Sequence, residues 1–466
     1  MIRLFNAYFP TRTLLLTVTE ALLVTLGFVA AVVFWAGTAT DANIYLFYGD
    51  SASGPNGIGR IGLLVAIFVL LMYYFDLYDS IVLSNRREVV TRLVGVLGCA
   101  FVTLSVLYYA FPEIRLVGST LWMGVGIVAV TVPAWRKLFF ALNRSARFSE
   151  RAILYGDGPL ALPLMQAISN RSELGVRVVG FVGQAGDAAG GVPCFGDDDL
   201  EDVVVQRGVR RIVVTMGDRR GKLKVDKLLK LKTRGVYIQD GPEYYESITG
   251  KIPLDSLRLS WLLFSKGFHV STLLRLYKRV FSLVLGSFVI VLTSPIMLLA
   301  MIAIRLDSPG PAIFRQKRVG EHGKLFTVFK FRSMFEGSDK KHLRPAEDDD
   351  DRITRVGKWL RRTRIDELPQ LFNIVKGDMA FVGPRPFVPE QEEECAAEIP
   401  FYKERWLVKP GATGWAQINR GYNVTLEDNR EKLAYDLFYI KNVSLGLDLF
   451  IMFSTIKILL LGRGGR

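Results

Sequence analysis

The sequence predicts a membrane α/β protein in three parts: a four-helix transmembrane bundle, a Rossmann-like α/β middle domain, and an α/β domain anchored by a re-entrant helix. Three observations predict this. The first third carries four long apolar stretches, Arg151 is followed by a strand, a glycine turn and a helix pattern, and an uncharged apolar run extends from Val280 to Ile304 with Ser294-Pro295 at its centre. The expected boundaries are 1–145 for the bundle, 146–255 for the middle domain, 256–275 for a linker and 276–466 for the last domain, with the hairpin at 278–305.

Half of the 466 residues are apolar and mean hydropathy is +0.26, yet 22% are charged, so the chain must be segregated into apolar and polar territories. The formal charge is +14, from 59 Lys and Arg against 45 Asp and Glu. A basic chain with so many apolar segments suits anionic lipid or a phosphorylated substrate better than nucleic acid. Cys99, Cys194 and Cys395 lack the paired spacing of a zinc site or a disulfide framework, so a reducing cytoplasmic setting is expected.

Thr13 to Gly37, Ile61 to Leu77, Leu93 to Phe111 and Val117 to Trp135 are the four expected spans. Arg3 and Arg12 precede the first, Arg86, Arg87 and Arg92 lie between the second and third, and Arg136, Lys137, Arg144, Arg147 and Arg151 follow the fourth. The stretch from Thr38 to Asn56 has acids but no Lys or Arg. By the positive-inside rule both ends of the bundle face the cytoplasm. The first run has no convincing signal-peptide cleavage site after it.

Ala152 to Tyr155 reads as a buried strand, and Gly156-Asp157-Gly158-Pro159-Leu160-Ala161 as a G-x-G-x-x-A turn opening a helix. Val176 to Val182 and Arg211 to Thr215 are further strands. Gly156 and Gly158 are candidate cofactor-binding positions. The same glycines also serve tight strand-to-helix turns, and Asp157 and Pro159 depart from a dinucleotide fingerprint, so a structural or regulatory domain competes with a nucleotide site.

At Val280 to Ile304, proline removes a backbone donor while Thr293 and Ser294 can satisfy the freed carbonyls, which allows either a kinked span or a helix, break, helix hairpin. Lys278 and Arg279 precede the run, and Arg305, Arg315, Lys317 and Arg318 follow it. With no sign asymmetry across it, the chain is expected to enter and leave on one face. The tail from Leu447 to Leu461 carries Asp448 and Lys457 among apolar residues and reads as an amphipathic interfacial helix.

From Tyr277 onward, ordered motifs accumulate. They are Lys278-Arg279-Val280-Phe281, Asp307-Ser308-Pro309-Gly310-Pro311, Phe314-Arg315-Gln316-Lys317-Arg318-Val319-Gly320, Lys330-Phe331-Arg332-Ser333-Met334, Ile353-Thr354-Arg355-Val356-Gly357, Ile365-Asp366-Glu367-Leu368-Pro369-Gln370, Gly383-Pro384-Arg385-Pro386 and Lys409-Pro410-Gly411-Ala412-Thr413-Gly414-Trp415. This region resembles the bacterial sugar transferase domain of monotopic polyprenyl-phosphate phosphoglycosyl transferases. The whole layout resembles the long undecaprenyl-phosphate sugar phosphotransferases that start exopolysaccharide or O-antigen assembly. Ser260 to Phe268 is also similar to members associated with exopolysaccharide and exosortase systems. Ser282 stands where many members carry Asp, a change expected to affect anchoring rather than chemistry.

A carboxylate is ionised at pH 7 and can attack phosphorus without a separate base, provided cations remove its repulsion from a diphosphate. Asp366 is the candidate nucleophile, and the bland alternative is an N-cap for the helix through Leu371 and Phe372. Glu367, with Asp366, is the candidate Mg²⁺ ligand. The resemblance implies that Asp366 takes the sugar phosphate from a UDP-sugar, that UMP leaves, and that undecaprenyl phosphate attacks the acyl phosphate. Lys330, Arg332, Arg364 and Arg385 are the candidate substrate-binding residues, Arg385 because flanking prolines would hold its guanidinium ready, and Lys330 and Arg332 because the resemblance implies it; anionic lipid headgroups are the alternative partners of Lys330, Arg332 and Arg364. His269, His322 and His342 lack metal-ligand spacing, and Trp415 suits either an interface or a core.

Similar long members form dimers, so a homodimer in the bacterial inner membrane is expected, with its catalytic domain on the cytoplasmic face. Two other classes compete. A membrane-anchored nucleotide-sugar dehydratase would need a Tyr-x-x-x-Lys pair, and none of the 17 tyrosines is followed by Lys at that spacing. A non-catalytic membrane scaffold or nucleotide sensor would tolerate loss of Asp366.

Overall fold

The computed structural model describes residues 1–4, 6–48, 56–78, 86–116, 119–144, 149–183, 192–217, 223–257, 265, 267–268, 270–337, 350–420 and 425–460. Most of Ser260 to Phe268, together with His269 and His342, lies outside them. The chain divides into two compact units, Met1–Ile2 with Phe9–Gly241, and Arg3–Tyr8 with Pro242–Arg466.

The first unit opens with α1 (Thr11–Ala36), α2 (Ala39–Tyr48), α3 (Gly57–Tyr74), α4 (Arg86–Ala110) and α5 (Thr120–Arg144). All but α2 are long and apolar enough to cross a membrane. They enclose a core of Val24, Phe28, Phe68, Met72, Val96, Val128 and Val132. Helix α2 forms where the sequence suggested a polar connection. Its ten residues reach only about 15 Å, short of a span.

Helix α5 runs past Trp135 because Arg136 is drawn inside the bundle rather than left with the loop cations. Its Nε and Nη2 donate to Glu20 at 2.5 and 2.8 Å, and its Nη1 donates to the Leu77 carbonyl at 3.0 Å. Glu20 is fully buried and Arg136 2% exposed. A charge among apolar helices persists only when paired and hydrogen-bonded in this way.

The rest of the unit is a parallel five-stranded sheet. Its elements are β1 (Glu150–Tyr155), α6 (Ala161–Ser169), β2 (Val176–Val182), β3 (Cys194–Phe195), α7 (Leu200–Arg207), β4 (Arg211–Val214), α8 (Val225–Thr233) and β5 (Tyr237–Asp240). The strand order is β3-β2-β1-β4-β5, a Rossmann-like arrangement. Ile153, Tyr155, Ile212 and Val214 are buried because helices cover both faces of a parallel sheet.

The second unit is organised around α9 (Thr272–Asp307). The expected break is corrected to a proline inside a continuous helix, since the segment is helical throughout, Pro295 included; a proline can kink a helix without ending it. Pro295 leaves the Val291 carbonyl without its usual donor, and Ser294 Oγ supplies one at 2.7 Å. Thr293 Oγ1 donates to the Val289 carbonyl at 2.7 Å. Along its length α9 packs on one domain. Val289 and Ile290 sit against Leu371 and Ile374, Met297, Ala300 and Ile304 against Phe331 and Leu360, and Leu368 touches both groups. Val284, Phe288, Val291, Leu292 and Leu299 are more than half exposed.

The domain continues with the antiparallel hairpin β6 (Ile313–Val319) and β7 (Leu325–Phe331), then α10 (Arg355–Arg362), α11 (Gln370–Lys376), β8 (Ala380–Val382), α12 (Pro389–Glu398), β9 (Gly411–Thr413), α13 (Leu426–Lys441) and α14 (Leu445–Leu460). Strands β8 and β9 pair in parallel. Trp415 is a core residue: it stacks on Phe438 at 5.3 Å and donates from Nε1 to the Gly250 carbonyl at 2.9 Å. Helix α14 buries Leu447 and Ile451 and leaves Leu449, Phe453, Ile456 and Leu459 exposed. Its buried Asp448 pairs with Lys278 of α9 at 2.8 Å.

Candidate active site

Asp366 and Glu367 lie in a single 3-10 turn, Ile365–Glu367, just ahead of α11. That helix starts at Gln370 with Pro369 in the capping position, so Asp366 is not its N-cap. Arg364, leading into the turn, has φ +58°, a left-handed conformation that a residue with a side chain adopts at a cost of about 1–3 kcal/mol. The turn is held from below. Asn373 of α11, fully buried, accepts from Phe329 N at 3.0 Å and donates to the Thr327 carbonyl at 2.7 Å, fixing β7 just ahead of Lys330. Arg279 of α9 donates to the carbonyls of Ile374 and Val375 at 3.1 and 2.8 Å, where a helix C-terminus favours a cation.

Three of the cations named from the sequence converge on one oxygen. Glu367 Oε1 is 2.8 Å from Arg385 Nη2, 3.2 Å from Lys330 Nζ and 3.7 Å from Arg364 Nη1. Burial pushes the Glu367 carboxyl up, but Arg385, Lys330 and Arg364 outweigh it and hold the group well below the usual carboxylate range. Asp366 differs. Burial, and then the charge of Glu367, raise its carboxyl to about 6 against the pull of Lys330, Arg364 and Arg361. Its Oδ1 is buried with no hydrogen-bond partner. An orphaned carboxylate oxygen is costly unless a substrate or cation completes it.

That orphaned oxygen, on the residue next to Glu367, fits Mg²⁺, which takes one or two carboxylates and fills its shell with water and substrate phosphate. Among the described residues no cluster of three His, Cys, Asp or Glu forms a self-contained metal cage.

The Arg385 segment follows β8 and lies against β9 through glycines. A side chain at Gly383 would collide with the Lys409 carbonyl, and one at Gly411 or Gly414 with the backbone of Gly383. The two glycine-proline motifs are therefore one packed unit.

Arg332 does not join the cluster. It is 5% exposed and donates to the carbonyls of Ser308 and Pro309 at 2.7 and 2.9 Å, closing the end of α9. Ser294 and Pro295 lie within α9 as described. Gly156, at φ +107°, and Gly158 are filled by their own chain. A side chain would meet Met216 at the first and the Thr215 carbonyl at the second, and Thr215 Oγ1 donates to the Gly156 carbonyl at 2.5 Å. Neither glycine has room for a side chain, as a tight strand-to-helix crossing requires. Sequence reasoning did not single out Asn373, or Arg318, which donates to the Pro386 carbonyl at 3.2 Å and is lowered to about 10 by burial and then by Arg385.

Residues 273–462 match the bacterial sugar transferase family, and residues 73–236 match a CoA-binding domain family. The chain is 43% identical over 221 residues to a UDP-N-acetylgalactosamine-undecaprenyl-phosphate N-acetylgalactosaminephosphotransferase of Aeromonas hydrophila, covering 47% of this chain and 52% of that protein. It is 45% identical over 184 residues to a UDP-glucose:undecaprenyl-phosphate glucose-1-phosphate transferase of Escherichia coli K12, covering 39% of this chain and 40% of that one. Against the enzyme of the same name in Xanthomonas campestris pv. campestris it is 31% identical over 425 residues, covering 84% and 85% of the two. The chain thus spans about half or less of the first two relatives but most of the third. The matched residues contain both the convergent carboxylate site and the helix that anchors it, and the chain belongs to the bacterial sugar transferase family as a long member of the polyprenyl-phosphate phosphoglycosyl transferase type.

Proposed function

We propose that this protein transfers a sugar 1-phosphate from a UDP-sugar to undecaprenyl phosphate, releasing UMP, through a covalent intermediate on Asp366, and so begins exopolysaccharide or O-antigen assembly. The observation that carries the reading is the contrast within one turn: Glu367 neutralised by three cations, and Asp366 buried with a free oxygen.

A carboxyl at about 6 is mostly ionised at neutral pH yet poorly solvated, which favours it as a nucleophile. An Asp366 oxygen attacks the sugar-bearing phosphorus. The bond from that phosphorus to the bridging oxygen breaks, and the electron pair leaves with UMP. An oxygen of undecaprenyl phosphate then attacks the same phosphorus, the acyl phosphate bond breaks, and Asp366 returns as a carboxylate. Lys330, Arg364 and Arg385 hold the equatorial phosphoryl oxygens while charge spreads over them. Mg²⁺, held by Asp366, Glu367 and the substrate phosphates, supplies further charge neutralisation when bound.

The lipid acceptor fixes the location. The domain rests on the cytoplasmic face of the bacterial inner membrane, as a homodimer, with α9 entering and leaving the bilayer on that face. Support for one-sided insertion comes from the two ends of α9, where Arg279 binds the end of α11 and Arg332 the Ser308 carbonyl, and from Leu368, which touches both halves. Trp359 and Phe372, 56% and 48% exposed near the site, suit the headgroup layer. Cysteines placed at the exposed positions Thr272 and Lys317 in intact cells test this, because an impermeant reagent that labels only one contradicts it.

The function is tested by UMP release from a panel of UDP-sugars with undecaprenyl phosphate and Mg²⁺. Release by the wild type and silence of Asp366→Asn support the reading. Equal release by both proteins sinks it.

A further inference from the structure

The Pro384-Arg385-Pro386-Phe387 segment has every carbonyl occupied. Pro384 accepts from Gly411 N at 2.9 Å, Arg385 from Arg405 Nη2 at 2.9 Å, Pro386 from Arg318 Nη1 at 3.2 Å, and Phe387 from Val319 N at 3.2 Å. The prolines have no amide to offer, and the Phe387 amide donates to Glu392 Oε1 at 3.2 Å. A short segment tied at this many points is held in one backbone conformation.

The tie at Arg385 itself is unusual chemistry. A peptide amide would serve a carbonyl at little cost, yet here a guanidinium that is 4% exposed does so. Arg405 also donates from Nη1 to Glu392 at 3.0 Å and to Tyr402 Oη at 2.6 Å, and from Nη2 to Asp436 at 3.0 Å. Its guanidinium lies 4.7 Å from the centre of the Phe387 ring. Glu392 and Asp436 are 2% and 3% exposed. Desolvating a cation and two carboxylates carries a penalty of several kcal/mol per ion before their attraction offsets it, so such a triad contributes geometry more than stability. The hydrogen bonds of Arg405 go to Glu392, Tyr402, Asp436 and the Arg385 carbonyl, and none goes to Asp366 or Glu367.

We infer that Arg405, clamped by Glu392 and Asp436, is a positioning residue that fixes the Arg385 backbone so that its guanidinium reaches Glu367 and the transferring phosphoryl group. This rests on the function proposed above. It assigns a role to the Arg405 side chain and to the Phe-Arg-Gln-Lys-Arg motif, whose Arg318 holds the next carbonyl of the same segment.

The test uses the full-length protein in nanodiscs, with Arg405→Lys and Asp436→Asn made alone and in an Arg385→Ala background. Hydrogen exchange of the peptide spanning Arg385 to Phe387 and the UMP release rate are both measured. Either variant should speed exchange at the Phe387 amide and lower kcat by about 10²-fold, the scale of a 1 Å misplacement. In the Arg385→Ala background the further loss should shrink to about 2-fold, because the group being positioned is gone. A merely structural role gives equal losses in both backgrounds and overturns the inference, as does unchanged exchange. If Arg405→Lys does not fold, Asp436→Asn carries the comparison. A wild type that releases no UMP refutes the proposed function, and the exchange arm still decides whether Arg405 fixes the segment.

Discussion

Replacing Asp366 by Asn should make the protein more stable while abolishing its activity. The carboxyl is raised from an ordinary 3.8 to about 6 by burial and by Glu367, with the attraction of Lys330 and Arg364 already included in that balance. The folded state therefore binds the Asp366 proton more tightly than the unfolded chain. This group costs nothing below about pH 3.8, and its penalty grows as pH rises through 6. That rise corresponds to about 3 kcal/mol, which the partial exposure of the turn reduces to about 2 kcal/mol at pH 7.5. For a domain of this size each kcal/mol moves the transition by about 2–4 °C, so Asp366→Asn should melt roughly 4–8 °C higher. Scanning calorimetry in detergent at pH 7.5 and 5.0 measures it, and the gain should shrink at the lower pH. A variant that melts lower than wild type at pH 7.5, or an equal gain at both values, would refute the reasoning.

Other consequences follow from the same contacts. Glu367→Gln removes the anion shared by Lys330, Arg364 and Arg385, so the three cations repel one another; UMP release should fall at least about 10²-fold and the melting point should drop. Because the Glu367 carboxyl is held low, its own stabilising share persists down to acidic pH and is lost only as pH falls through that lowered value, which a melting series from pH 7 to 3 reads. Gly158→Ala should destabilise the first unit by about 2 kcal/mol or more through collision with the Thr215 carbonyl while leaving the transfer rate of the folded fraction unchanged, as calorimetry and rate per folded molecule would show. Glu20→Gln strands Arg136 in the bundle and should cost about 3–5 kcal/mol, visible as a lowered melting point and poor yield of folded protein.

Much of the site was legible because its motifs combine chemistry with rigid turns. Asp366-Glu367 ahead of Pro369 and Arg385 between prolines announce fixed charge, and the structure brings Lys330, Arg364 and Arg385 onto Glu367. What stayed hidden was the division of labour among cations. In a chain with 59 of them, nothing local tells that Arg332 closes a helix end, that Arg136 lies inside a bundle, or that Arg405 holds a carbonyl. Each depends on a partner far away in the sequence, and Arg136 and Glu20 are 116 residues apart. Pro295 is a local case: its missing donor and the Ser294 hydroxyl that serves the Val291 carbonyl instead both lie within one turn, and the local sequence allowed a continuous helix as well as a break. Trp415 was ambiguous for the opposite reason, since an indole suits a headgroup layer and a core equally until Gly250 and Phe438 are seen around it.

The central claim is that Asp366 is covalently loaded before the lipid arrives. Intact mass spectrometry of the protein with Mg²⁺ and UDP-sugars, without undecaprenyl phosphate, tests it most directly. The account requires a sugar-phosphate adduct on the wild type, located to the peptide containing Asp366, absent from Asp366→Asn, and discharged when undecaprenyl phosphate is added. UMP release that begins only after the lipid is added, with no adduct at any stage, would mean direct transfer between the two substrates and would contradict it.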